Sequence, residues 1–279
     1  MNRSSLVAVV AGALQGVFEW LPISSEGNVT VFLTALGSSP EAAVQFSLFL
    51  HAGTALSAAV YYRDELGDVA GALAGWRPRE AFAPDAGASG ASERATLSFL
   101  GVATLVSGVV GIGAYATLET VVSELTGGAM VALVGVLLVA TGLLQRVADG
   151  FALGGRESPD LADAVLVGAL QGLAVLPGVS RSGTTTSALL FRGHDGPSSF
   201  RLSFLLSIPA ALGAGALVLA DTGVPAVAPV PAALAVVTAA VVGYLTIGAL
   251  MRVVKRVPFW GVCVGLGALA ILGGAALAA

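Results

Sequence analysis

The sequence predicts an all-α, polytopic membrane protein with six transmembrane helices plus two re-entrant helix pairs in an inverted-topology repeat. Of the 279 residues, 56% are hydrophobic and only 11% are charged, with a mean hydropathy of +0.90, whereas a soluble domain is about 25% charged. Six apolar runs approach the roughly 20 residues needed to cross a bilayer. Two further stretches look like copies of each other: GALQGVFEWLPISSEGN from Gly12 to Asn28, and GALQGLAVLPGVSRSGT from Gly168 to Thr184. One offset puts Gln15 on Gln171, Ser24 on Ser180 and Gly27 on Gly183, and it also carries the segment from Phe46 onto the segment from Leu202. A fixed internal offset over this length marks a duplicated unit.

The elements follow in order. Ser5 to Leu21 is apolar, breaks at Pro22, Ser24 and Gly27, and resumes as Val29 to Leu36, so this pair is expected to dip into the bilayer and return. Ala42 to Tyr62, Thr96 to Ala116 and Ala129 to Leu144 read as crossing helices by length and by their Ala and Leu content. A polar segment at about 63–95 separates the first two and reads as a solvent loop with a short surface helix. Leu161 to Leu176 with Thr184 to Arg192 forms the second dip, and crossings follow at Ser199 to Ala220, Val230 to Met251 and Phe259 to Ala278. The repeat units are thus about 1–148 and 160–279 of a single membrane domain. An odd number of crossings per unit inverts the second copy relative to the first.

Positive charge sets the orientation. Arg63, Arg77, Arg79, Arg94, Arg146, Arg156, Arg252, Lys255 and Arg256 fall in three loops that alternating crossings place on one side, which is expected to be cytoplasmic. The Glu119 and Asp221 loops contain no Lys or Arg. Both chain ends are then external, and no removable signal peptide is expected, because the first apolar run leads directly into the Glu19 to Gly27 motif. A net charge of −4 with a single lysine excludes a nucleic-acid partner. The single cysteine, Cys263, excludes an intrachain disulfide and reads as a packing residue.

Candidate site residues concentrate in the two breaks. Non-helical backbone at membrane depth is tolerated only where protein buries it or where it lines a wet cavity. The second break supplies Arg181, the hydroxyls of Ser180, Ser182 and Thr185, and the N–H groups from Gly183 onward at a helix start. A planar five-donor guanidinium beside a helix N-terminus suits a phosphate or diphosphate. The alternative is an Arg181 that pairs with Glu19 only to neutralise the fold.

The first break carries the opposite chemistry. Gln15 and Glu19 share a helix face, and Ser24, Ser25, Glu26 and Asn28 follow. A carboxylate beside a phosphate holds a divalent cation, Mg2+ or Ca2+, or accepts a proton from water or serine. Glu26 reads equally as an N-terminal helix stabiliser, Gln15 as interhelical glue, and Ser24 and Ser180 as caps first and ligands second. His51 faces the motif if the repeat register holds, as a base or as a hydrogen-bond partner. His194, in a short turn between Arg192 and Asp195, reads as solvated.

At these residues the chain resembles the undecaprenyl-pyrophosphate phosphatase family, membrane proteins associated with bacitracin resistance. The resemblance runs through Gln15 to Asn28, the helix Phe46 to Leu66, the PGVSRSGTTT stretch from Pro177 to Thr186, and Phe204 to Pro209. It implies removal of the terminal phosphate from a polyprenyl diphosphate, a divalent cation, and a site open to the outer membrane face. It also implies roles: Glu19 as the second acidic residue of the first motif, Ser25 as nucleophile or phosphate ligand, and Arg181 as the phosphate-binding arginine. Ser180, Ser182 and Thr185 match hydroxyl residues of the same pocket. Two positions depart from the pattern, Gln15 where many members have a first Glu and Asn28 where many have a His. The base is then expected to be Glu19, with Glu26 and His51 as alternatives.

The competing reading is a polyprenyl-phosphate flippase without hydrolysis, since inverted repeats with broken helices are typical of transporters. The small-residue runs Gly265 to Ala279 and Gly213 to Ala216 permit close packing within one chain or between two, as a homodimer.

Overall fold

The computed structural model describes residues 3–77, 82, 91–151, 154–221, 228–254 and 256–278. Arg79 and Lys255 of the basic loops and most of 78–90 lie outside the described residues. Eleven α-helices and no strand occur among them: α1 Arg3–Phe18, α2 Ser25–Ala35, α3 Pro40–Tyr61, α4 Arg63–Gly71, α5 Ala91–Val122, α6 Gly127–Ala148, α7 Leu161–Leu173, α8 Arg181–Phe191, α9 Gly196–Asp221, α10 Pro229–Val254 and α11 Trp260–Ala278. Six of these, α3, α5, α6, α9, α10 and α11, are long and apolar enough to cross a membrane. The expected short surface helix is α4.

The helix starts are written locally. Ser39 accepts a hydrogen bond from Ala42 N and Thr126 accepts one from Ala129 N, each satisfying an orphan donor of the first turn. Asp160 and Asp163 form a reciprocal capping box at the head of α7. The two breaks end alike: Ser24 caps α2 by accepting from Gly27 N, and Ser180 caps α8 by accepting from Gly183 N, both at 3.2 Å.

The two short helices that precede the breaks each lie along a long one: α1 on α10, and α7 on α5. At the first crossing a Cβ on Gly12 would meet Ala235 O at 2.3 Å, and at the second a Cβ on Gly168 would meet Ala103 O at 2.7 Å. Only glycine lets the backbones approach this closely. Two glycines of α11 pack within the chain, Gly267 against Gly135 and Gly274 against Gly128 on α6, whereas a Cβ on Gly265 or Gly273 would meet nothing within 4 Å.

Apolar clusters then fill the spaces around the breaks. Trp20 is fully buried with Phe204, Ile208 and Ile247 beneath the first break, and its indole donates to Gly243 O at 3.1 Å. Leu105, Val109, Leu245, Leu269 and Leu272 are exposed on α5, α10 and α11, as expected of surfaces that meet lipid rather than water.

Candidate active site

The two breaks are joined at their glycines. Ser24 is the one described non-glycine residue with a positive φ, 58°, a conformation that costs an L-residue about 1–2 kcal/mol. That geometry lets its hydroxyl accept from Gly178 N of the other break at 3.1 Å as well as from Gly27 N. A Cβ on Gly27 would lie 2.7 Å from Gly178 N, so the two breaks approach as bare backbone. Thr141 of α6 ties down the far side, donating to Gly178 O at 3.3 Å and accepting from Ser180 N at 3.4 Å.

Glu19 is the centre of the resulting cluster and is 5% exposed. One carboxylate oxygen accepts from Arg181 Nη2 at 2.8 Å. The other accepts from Ser25 Oγ at 2.7 Å and Gln15 Nε2 at 2.9 Å, with His51 Nε2 at 3.4 Å. His51 Nδ1 lies 3.0 Å from Ser47 O. A carbonyl only accepts, so Nδ1 carries the proton and Nε2 is the nitrogen presented to Glu19. These distances bring Glu19, Ser25, Arg181, Gln15 and His51 together, and the Arg181–Glu19 pair of the alternative reading is among them.

Arg181 is aimed from the head of α8. Its Nη1 donates to Ser203 O at 3.3 Å, and Thr185, one turn on, donates to Arg181 O and shares a 2.7 Å hydrogen bond with Ser203 Oγ. Ser203 was not singled out from the sequence, although it is the repeat partner of Ser47, which positions His51. Asn28 does not face the cluster: its Nδ2 donates to Ile23 O at 2.7 Å and Ser24 O at 2.9 Å.

The cleft bounded by Glu19, Ser24, Ser25, Glu26, His51, Arg181 and Ser182 has a volume of about 20 Å3, room for about one water. A phosphate must therefore open the Arg181–Glu19 pair to enter. Beside it, sharing Glu26, His51 and Arg181, lies an apolar chamber of about 450 Å3 that runs along α9 past Ala210 and Gly213 to Ala220. Glu26 Oε1 and Gln15 Oε1 are buried oxygens without a hydrogen-bond partner. No group of three His, Cys, Asp or Glu suited to a metal occurs among the described residues.

His194 corrects the sequence expectation. It is fully buried, because the turn after α8 folds back on the head of α7. Arg156 N donates to Gly193 O and Asp195 N to Arg156 O, while His194 Nε2 meets Asp163 Oδ2 at 2.9 Å. Arg156 and Arg192 each bind both Asp160 and Asp163 at 2.7–2.9 Å. Burial alone raises the Asp163 carboxyl, yet the hydrogen bonds from His194, Arg192 and the Asp160 backbone hold it below the usual carboxylate range. The hydrogen bond to Asp163 in turn raises the Arg192 guanidinium above its ordinary value.

Comparison with known proteins identifies the family. Residues 8–270 match the family described as bacitracin resistance protein BacA. The chain is 56% identical over 270 residues to an undecaprenyl-diphosphatase of Haloarcula marismortui, covering 96% of this chain and 97% of that one. It is 37% identical over 273 residues to the undecaprenyl-diphosphatase of Methanococcoides burtonii, covering 95% and 96%. A bacterial relative of the same name, from Geobacter sulfurreducens, is 38% identical over 255 residues and covers 89% of each chain. With both breaks, their shared serine clamp and the Glu19–Arg181 cluster inside the matched span, the chain belongs to the bacitracin resistance protein BacA family.

Proposed function

We propose that the protein hydrolyses a polyprenyl diphosphate of the undecaprenyl type, releasing orthophosphate and leaving the lipid monophosphate carrier for reuse. The observation that carries this reading is that Ser25 and Arg181, one from each break, bind the same carboxylate of Glu19. A nucleophile, its proton acceptor and a phosphate-binding cation thus share one buried point.

In the reaction, Arg181 leaves Glu19 and, with the head of α8 and Ser182 beside it, binds the terminal phosphate. Freed from the guanidinium, Glu19 becomes the stronger base for the Ser25 proton. Ser25 Oγ attacks the terminal phosphorus, the phosphoanhydride bond breaks, and the lipid phosphate departs with the proton that Glu19 took from Ser25. Water then attacks the phosphoserine, giving one proton to Glu19, which returns it to Ser25 Oγ as orthophosphate leaves. Preorganised donors aimed at the developing charge supply much of the rate. The prenyl tail fits the chamber along α9, which ends near Ala220 beside a loop that holds no Lys or Arg. That placement supports a site open to the outer face and two inverted repeats, about 1–148 and 160–279, meeting at the clamp.

A divalent cation would find few open ligands here. Both oxygens of Glu19 are engaged, so the open acceptor is Glu26 Oε1, with Gln15 Oε1 unpaired one turn before Glu19. Oxygen donors suit Mg2+ or Ca2+, and Glu26, joined by Glu19 once Arg181 has left it, would hold the ion, which would neutralise phosphate charge.

The test is phosphate release from polyprenyl diphosphate by purified protein in detergent, with and without a chelator. Release abolished by Glu19→Ala and by Arg181→Ala supports the assignment. Release that survives both overturns the site, and no release by the wild type overturns the reaction.

A further inference from the structure

A second, larger chamber lies on the other side of α8. Its volume is about 520 Å3, and it is bounded by Ser182, Thr186, Leu190, Phe200, Arg256 and Trp260 among others. Positions 182 and 186 are one turn apart and share a helix face. Arg181 and Thr185, the residues that meet Glu19 and Ser203, occupy the neighbouring face. Ser182 borders both the catalytic cleft and this chamber, so the two spaces meet at the first turn of α8.

Three observations indicate what the chamber takes. The Thr186 hydroxyl is buried, at 4% exposure, and has no hydrogen-bond partner. Its repeat counterpart Thr30 is satisfied by Ser47 at 3.2 Å. A buried, unpaired hydroxyl costs free energy unless a ligand or water completes it. Next, the mouth is cationic: Arg256 lines it, and Arg146 stacks on the Trp260 ring at 4.4 Å beside it, against one acid, Asp149. Finally, the floor carries the head of α8, where the helix dipole favours an anion. Phe200, Phe259 and Trp260 complete an amphipathic wall.

We propose that this chamber is a second phosphate site, taking a phosphate dianion that sits against Thr186 and Ser182 with Arg256 at its mouth. The chemistry is shared by two sources: orthophosphate leaving the catalytic cleft past Ser182, and the head of a prenyl monophosphate from the membrane. The proposal rests on Arg181 anchoring phosphate in the catalytic cleft, and the experiment separates the two ideas.

Equilibrium binding of radiolabelled inorganic phosphate is measured on full-length, detergent-purified Arg181→Ala, which lacks the catalytic anchor. A parallel arm uses a short-chain prenyl monophosphate as competitor. Residual binding is expected in Arg181→Ala, weakened roughly tenfold on adding Thr186→Val or Arg256→Gln. Weakening of phosphate binding assigns orthophosphate, and weakening confined to the prenyl monophosphate assigns the lipid head. In the otherwise wild-type protein, Thr186→Val and Arg256→Gln keep turnover within about twofold while inhibition by the same ligand weakens roughly tenfold. Absence of binding of both ligands to Arg181→Ala, or binding of both left intact by Thr186→Val and Arg256→Gln, overturns the second site. Failure of the wild type to release phosphate from polyprenyl diphosphate defeats the phosphatase reading instead and leaves the binding result standing.

Discussion

Asn28 and Thr184 do the same work in the two halves. Asn28 Nδ2 donates to the carbonyl of the cap Ser24 at 2.9 Å, and Thr184 Oγ1 donates to the carbonyl of the cap Ser180 at 3.0 Å. The resemblance places a histidine at position 28 in many family members, but here the side chain holds the break in shape. Asn28→Thr is therefore expected to retain turnover, and Asn28→Ala to lose about 1 kcal/mol of stability. Thermal unfolding in detergent beside turnover checks this. A hundredfold fall in turnover at unchanged melting would make Asn28 a reacting group.

Arg181 binds Glu19 through one nitrogen and Ser203 O through another, a fork that lysine does not reproduce. Arg181→Ala and Arg181→Lys are each expected to lower kcat by about 100- to 1000-fold. Rescue by lysine to near wild-type turnover would reduce the role of Arg181 to a point charge.

Ser25 is expected to carry the phosphoryl group. Brief reaction with labelled polyprenyl diphosphate followed by acid quench should trap a phosphoserine in the wild type and none in Ser25→Ala, whose turnover falls by at least about 1000-fold. Labelling of Ser25→Ala at the wild-type level would move the nucleophile elsewhere, or to water.

The Asp163 cluster gives a pH dependence. The folded carboxyl is held below its ordinary value, so its contribution is complete above the unfolded pKa of about 3.9 and is lost as pH falls through the folded value. The wild type should lose stability progressively in acid below about pH 4. Asp163→Asn, which leaves Arg192 and Arg156 without that charge, should be less stable at neutral pH and show a flatter acid response. Parallel acid curves for the two proteins would remove Asp163 from the account.

Much of the scaffold is legible in the sequence because membrane helices announce themselves by length. Ala129 to Leu144, for example, lies inside the observed Gly127–Ala148. Glu19, Ser25 and Arg181 were legible because charge and hydroxyls interrupt apolar runs at one offset. His194 was not, since a turn histidine becomes buried only when Arg156 and Asp163, distant along the chain, close over it. The role of Asn28 was also hidden, because its partners are backbone carbonyls. The second chamber draws its walls from five separate segments, and no local pattern marks it.

The contact between Ser24 and Gly178 has a consequence for biosynthesis. The first break meets its mate only after the chain has been made past α7, so a ribosome-bound chain ending at α6 has every acidic residue of the site and no working centre. Two fragments divided between α6 and α7, inactive apart, should recover turnover when produced together in one membrane.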